Sequence, residues 1–367
     1  MAEMFQEMKI NGMTLRNRLV RSATWEGMCG QDGRPTQKLN AYLHVLAQGG
    51  IGLIISGYAF VSPEGKQLPG KMGIHTDDFA ENFIALRRSV QASGARMAIQ
   101  LVHAGGQASS ASAGRQPLAP SAVKVDQYPE MPAELSRLEI QEIVQAFARS
   151  ARRAKQWGFD GVQLHGAHGY LINQFLSPLT NHRTDPYGGS RENRCRFLFE
   201  VYQEVRRAVG AEFPVMIKLN ATDNLSGGLE LDDALFAASE LSAFGLDAIE
   251  VSAGTAASGR LGPARSRIKT VDQEGYNLDL ALRIKAAVKC PVLVVGGFRS
   301  YSIAEQAISE HGMDGVALSR PLIREPDLPN RWLAGDQRRA ACISCNGCFK
   351  PGREEGGIYC VQARKTA

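Results

Sequence analysis

Eight short apolar runs, each followed by a helical pattern, recur along this chain and limit what it can fold into. The runs cover residues 17–24, 51–57, 96–103, 161–166, 214–220, 248–252, 291–297 and 315–320. They are continuous stretches of Val, Ile, Leu and Ala, not apolar–polar alternations, as expected of parallel strands buried on both faces. Helical periodicity fills the gaps at 37–48, 77–91, 137–157, 191–209, 231–244, 278–288 and 302–311. Eight such alternations predict an α/β chain folded as a single (β/α)8 TIM barrel. A doubly wound sheet is the competing arrangement, but it places a glycine fingerprint after its first strand. Here the glycine-rich turn, Gly296-Gly297, follows the seventh. The barrel is expected over residues 1–335, with a cysteine-rich tail at 336–367.

In a barrel, reacting groups stand where strands end and loops begin. The polar or glycine residues at those positions are Thr24, Gln100, His103, His165, His168, Lys218, Ser252, Gly296, Gly297, Ser319 and Arg320. The segment Gly161-Val162-Gln163-Leu164-His165-Gly166-Ala167-His168-Gly169-Tyr170-Leu171 concentrates this chemistry. Two imidazoles three residues apart can both donate to one ligand oxygen or both face one metal; the plainer alternative is two histidines satisfying a loop. No third ligand of fitting spacing is near, which disfavours zinc. Gly296 and Gly297 with Ser319 and Arg320 occupy the place where barrels hold a phosphate, although Gly-Gly alone also suits a tight turn. Gln100 and Lys218 suit the edge of a flat heterocycle. For Lys218 the alternatives are an internal ion pair with Glu250 or the Schiff base of an aldolase.

The charge balance excludes some classes. Net charge is +5 from 42 basic and 37 acidic residues, without a basic run, so nucleic-acid binding is not expected. No apolar window is long enough to span a bilayer and no leader pattern opens the chain, so a soluble cytoplasmic protein is expected. Of seven cysteines, four fall in the last 26 residues as Cys342-x2-Cys345-x2-Cys348-x11-Cys360. In a reducing compartment this clustering argues for a metal centre over disulfides. Three close thiols and a distant fourth suit a 4Fe-4S cluster better than structural zinc, which more often uses two separated pairs; unliganded cysteines are the third option.

The runs at 165–178 (HGAHGYLINQFLSP) and 181–194 (NHRTDPYGGSRENR), with Ile99-Gln100-Leu101-Val102-His103-Ala104-Gly105 and Asn17-Arg18, resemble the Old Yellow Enzyme family of FMN-dependent oxidoreductases. The resemblance spans about residues 5–332. It implies FMN at the barrel mouth, with its pyrimidine edge at Gln100 and Lys218 and backbone near Ala23, Thr24 and Tyr58. The phosphate is implied at Gly296, Gly297, Ser319 and Arg320. It further implies that His165 and His168 hold the carbonyl oxygen of a small α,β-unsaturated substrate, that Tyr170 contacts substrate and protonates its α-carbon, and that NAD(P)H is the reductant. Two departures stand out: Trp25 where many relatives carry cysteine or threonine, implying a narrower pocket, and Lys218 where many carry arginine.

The cysteine tail resembles the cluster loop of the trimethylamine dehydrogenase and 2,4-dienoyl-CoA reductase branch of that family. Seven residues follow Cys360, so the expectation is no second flavin in cis. The cluster would then relay electrons from a separate electron-transfer protein or stitch the tail to the barrel. A homo-oligomer is expected, with residues 324–332 and the tail as candidate interface. From a different class, a flavin-storing or electron-carrying protein is the alternative, disfavoured by the intact His165, His168 and Tyr170.

Overall fold

The computed structural model describes residues 2–363. The eight apolar runs form the parallel strands β1 (Leu19–Arg21), β2 (Leu53–Phe60), β3 (Arg96–Val102), β4 (Gly161–Gly166), β5 (Val215–Asn220), β6 (Ala248–Ser252), β7 (Val292–Val295) and β8 (Gly315–Leu318). Each pairs with its neighbour in chain order. Val20 opposite Leu53 and Leu318 opposite Arg21 bring β1 between β2 and β8, which closes the sheet into a barrel. A two-residue strand, Met72–Gly73, extends β2 beyond the rim through Ala59 and Phe60.

The surrounding helices begin where the sequence offers caps. Ser136 and Glu139 form a reciprocal capping box ahead of α3 (Arg137–Gln156), after α1 (Gln37–Gln48) and α2 (Ala80–Gln91). Residues 77–79, read as helix from the sequence, form a 3-10 turn capped by Thr76 before α2 starts. The ring continues with α4 (Arg191–Val209), α5 (Leu231–Ala243), α6 (Leu278–Ala287) and α7 (Tyr301–Ser309). No helix among the described residues is long and apolar enough to cross a membrane.

Two details depart from the sequence reading. β1 is three residues long, not eight, because side chains take over at both ends: Asn17 Oδ1 accepts from Leu19 N at 3.1 Å, and Thr24 Oγ1 donates to Ser22 O at 2.9 Å. The N-terminal lead is also more than a lead. Strands Met8–Ile10 and Met13–Leu15 form an antiparallel hairpin whose Met8, Ile10, Met13 and Leu15 pack against Val20, Leu53, Ile55, Met216 and Leu293. This apolar plug seals one end of the barrel.

Above the plug the interior turns polar. Lys218 and Glu250, opposite each other on β5 and β6, form an ion pair at 3.1 Å in which Glu250 is 0% exposed. Ser22 Oγ donates to Glu250 Oε1 at 2.6 Å and accepts from Lys218 Nζ at 2.7 Å. Gln163 Nε2 donates to Glu250 Oε2 at 2.8 Å, and Gln100 Nε2 to Gln163 Oε1 at 2.8 Å. Both carboxylate oxygens are therefore satisfied, the condition under which a buried charge is tolerated.

The tail lies against the barrel mouth. Ile358 N donates to Glu26 O at 2.9 Å, and Lys38 Nζ to Gly356 O at 2.8 Å. Gly27 has φ +68°, and a Cβ there would stand 2.6 Å from Gly352 O, so glycine permits this backbone-to-backbone approach.

Removing one partner of the buried pair strands the other. Glu250→Ala is expected to lower unfolding free energy by about 3–5 kcal/mol, whereas Lys218→Met combined with Glu250→Leu should regain most of it. Denaturant unfolding of the three proteins measures this.

Candidate functional site

A cleft opens at the C-terminal ends of all eight strands, lined on one side by Ser22, Ala23, Thr24 and Trp25 after β1, Tyr58 on β2, Gln100 on β3, His165 on β4, Lys218 on β5 and Ser252 on β6. Val295, Gly297 and Phe298 after β7, and Leu318, Ser319 and Arg320 after β8, complete the opposite side. Of the site residues named from sequence, His165, His168, Tyr170, Ala23, Thr24, Tyr58, Gln100, Lys218, Gly297, Ser319 and Arg320 all line this space. Gly296 stands one step behind it, where an added Cβ would come 3.0 Å from the amide nitrogens of Tyr276 and Asn277. His103 stands outside: its Nδ1 accepts from Gly105 N at 3.0 Å, and burial holds it neutral by lowering its pKa to about 4.

The two histidines meet because the chain folds back at the end of β4. His168 at φ +61° and Gly169 at φ +77° are both left-handed, and the turn is fastened by Gly169 N to Asn173 Oδ1 at 2.6 Å and His168 N to Asn220 Oδ1 at 3.3 Å. Asn173 and Asn220 in turn both donate to Asp223 Oδ1 at 3.0 Å. This brings the two imidazoles to 5.0 Å between centroids, nearly perpendicular, with the Tyr170 ring 4.8 Å from His165.

Electrostatics settle their protonation. Burial lowers the pKa of His165 well below the usual range, helped by His168, Lys218 and Lys71; burial and then Lys218 do the same for His168. Both are neutral imidazoles near pH 7. Ala167 N donates to His165 Nδ1 at 3.3 Å, so Nε2 carries the hydrogen. His168 Nε2 lies 2.8 Å from Ser252 Oγ, which leaves its Nδ1 for a ligand. Tyr170 keeps its phenolic hydrogen, since burial raises its pKa, and donates to Gln67 Oε1 at 2.9 Å.

Lys218 answers two of the sequence readings at once. It is ion-paired with Glu250, and it also faces the cleft, where one of its three ammonium hydrogens remains for a ligand. Gln100, whose amide nitrogen is committed to Gln163, keeps its carbonyl oxygen. Across the cleft Gly297, at φ +76°, has no room for a side chain: a Cβ would stand 2.8 Å from the Tyr276 ring. Ser319 Oγ lies 2.7 Å from Thr24 Oγ1, tying the ends of β1 and β8 together. Arg320 spends Nη1 on Arg265 O at 2.7 Å and Asn346 Oδ1 at 2.6 Å, leaving the other arm of its fork.

Some residues that shape the site were not singled out in the sequence. Lys71 is buried in the wall, and Phe349 comes from the tail. Gln67 holds Tyr170 from the β2 extension loop. Gln67 and Lys71 sit in loops, where spacing carries no periodic signal, and Phe349 opens the six-residue helix Phe349–Glu354 of the tail.

Cys342, Cys345, Cys348 and Cys360 line a second, smaller pocket that shares Arg320 with the cleft. The loop wraps it through left-handed residues at Ser344 and Asn346, and Gly347 N donates to Cys345 Sγ at 3.4 Å. Among the described residues no group of three or more His, Cys, Asp or Glu side chains converges as a single metal ion requires. That holds for the histidine pair and for the four cysteines of the tail alike.

Known proteins resemble this chain in sequence and fold. The NADH:flavin oxidoreductase / NADH oxidase family matches residues 3–338. The chain is 38% identical over 352 residues to an NADH oxidase of Thermoanaerobacter brockii, covering 94% of this chain and 53% of that protein. It is 37% identical to an NADPH dehydrogenase of Bacillus pumilus, covering 89% of this chain and 93% of that one. The chain thus spans about half the length of the first relative and nearly all of the second. Among solved structures, a 2-naphthoyl-CoA reductase complex superposes with a TM-score of 0.91 at 30% identity, over 98% of this chain and 56% of that one. An old yellow enzyme homologue from Zymomonas mobilis superposes at 0.80 and 27% identity, over 96% and 98%. The polar barrel mouth, the paired imidazoles and these likenesses agree: the chain belongs to the NADH:flavin oxidoreductase / NADH oxidase family, the Old Yellow Enzyme family that its signature segments resemble.

Proposed function

We propose that the protein is an FMN-dependent ene reductase that uses NAD(P)H to reduce the carbon–carbon double bond of small α,β-unsaturated carbonyl compounds. The observation that carries this is the pair of neutral imidazoles meeting in one cleft, with an N–H of His165 unspent and a nitrogen of His168 unpartnered. The donor set suits FMN: an ammonium and an amide carbonyl on one wall for a ring edge, and on the other a bare glycine turn with one arm of a guanidinium for a phosphate. Bound FMN would supply the two-electron chemistry, taking hydride from the nicotinamide and delivering it to the β-carbon.

The protein's own residues do the rest. His165 Nε2–H donates to the carbonyl oxygen of the substrate, and His168 supports the same oxygen while Ser252 and the Asn173–Asn220–Asp223 frame hold its ring in place. As the double bond is reduced, negative charge builds on that oxygen, and fixed donors in a buried site stabilise it more than water does. Tyr170, held protonated at 4.8 Å between ring centroids from His165, gives its hydrogen to the α-carbon, with Gln67 fixing the hydroxyl beforehand. Lys218 holds a ring carbonyl while Glu250 compensates its charge.

A second reading rests on the sulfur pocket. Four cysteines facing one space, an amide N–H aimed at Cys345 and a shared Arg320 support a 4Fe-4S cluster beside the flavin and an electron-transfer partner, as in an iron–sulfur flavoenzyme of dienoyl-CoA reductase or amine dehydrogenase type. A histamine dehydrogenase from Rhizobium sp. 4-9 superposes at a TM-score of 0.85 and 25% identity, over 97% of this chain.

His165→Ala and His168→Ala should each lower kcat/KM for cyclohexenone by about 10²–10³-fold while flavin reduction by NAD(P)H persists. Anaerobic stopped-flow of the two half-reactions separates these effects, and loss confined to the nicotinamide half-reaction would remove the histidines from this role. For the sulfur pocket, anaerobically purified protein should carry about four iron and four acid-labile sulfide per chain, lost in Cys345→Ser. Stoichiometric zinc without sulfide would rule the cluster out.

A further inference from the structure

One wall of the cleft holds a cation that the protein itself leaves unpaired. Lys71, 4% exposed, stands immediately before the strand Met72–Gly73 and is carried into the wall by that strand's pairing with β2. The contacts of its ammonium among the described residues are with ring faces: 4.0 Å from the centroid of Tyr58 and 5.8 Å from those of Trp25 and Tyr170. The carboxylate that acts on it electrostatically, Glu26, is committed to Arg21 at 2.8 Å. The other titratable groups facing it, Tyr58, Tyr170 and His165, are all neutral near pH 7. Burial drops its pKa to about 7, opposed by Glu26.

Buried lysines ordinarily have a partner, and an unpaired one facing a ligand cleft marks where the partner arrives. Aromatic faces stabilise the ammonium on the sides they cover but give it no hydrogen-bond acceptor on the side that opens to the cleft. Trp25, on the same wall, contributes a ring face to this enclosure. A single ammonium between flat rings matches a planar monoanion; a phosphoryl dianion calls for more donors than this wall has.

We propose that Lys71 is the recognition point for a carboxylate on the substrate, so that the preferred substrates are α,β-unsaturated carbonyl compounds bearing a carboxylate. The unsaturated carbonyl rests on the ene-reductase reading; the carboxylate rests on Lys71 alone. Sign follows from linkage: the ligand pairs with the charged lysine, so binding takes up a proton and affinity falls as pH rises above about 7.

The test is calorimetric titration of the oxidised, flavin-loaded enzyme with 3-oxocyclohex-1-ene-1-carboxylate and with its methyl ester. At pH 6.5 the carboxylate should bind about tenfold tighter than the ester, and by pH 8.5 that advantage should be lost. In Lys71→Met the ratio should fall to about one at both pH values, and in Lys71→Arg it should persist without the pH step. Methionine keeps the length and removes a buried charge, so this variant should melt no lower than the parent, and the gap between them should narrow as pH rises from 7 to 10, where the unfolded lysine is still protonated and the folded one is not. A ratio near one in the parent, or a preference that survives Lys71→Met, overturns the assignment. Carboxylate preference without reduction of either compound would instead overturn the ene-reductase reading and leave Lys71 standing.

Discussion

The ion pair between Lys218 and Glu250 is the constraint to which the rest of the barrel mouth answers. A carboxylate with no exposed surface is tolerable only with its partners in place, and those partners come from β1, β4 and β5. The apolar plug below and the cleft above are therefore divided by a layer of polar side chains whose positions are mutually determined. One consequence is that Lys218 reaches the cleft with its charge compensated, as a fixed donor. A buried lysine with such a salt bridge is poorly suited to the Schiff-base chemistry of an aldolase, which needs a free amine.

The contrast between Lys218 and Lys71 shows how one fold handles the same side chain in two ways. Lys218 is paired from within, and Lys71 is surrounded by aromatic rings and unpaired. The first ammonium has its acceptors before anything enters the cleft; the second does not.

Much of this was legible in the residues. Continuous apolar runs made eight parallel strands readable, and the strand-end rule located eleven residues of which nine line one cleft. Where the reading missed, the cause was the absence of periodicity. The Met8–Leu15 hairpin has strands of three residues, too short for a pattern to register. Lys71 and Gln67 lie in a loop whose course is set by Gly70, Gly73 and pairing to β2, none of which spacing could reveal. Gly296 and Gly297 looked equivalent, yet only Gly297 reaches the cleft because Tyr276 lies against the pair from one side. Likewise His103 ends a strand as His165 does, but Gly65 and Glu64 close over it from the β2 extension.

The sealed lower end of the barrel has a kinetic meaning. With the hairpin filling one mouth, the cleft opens at the other. Two reactants that each need the wall around His165 cannot occupy it together, so they must take turns. On the proposed ene-reductase reading, nicotinamide and unsaturated carbonyl would then alternate at that wall, over a floor closed by four apolar side chains far from the cleft.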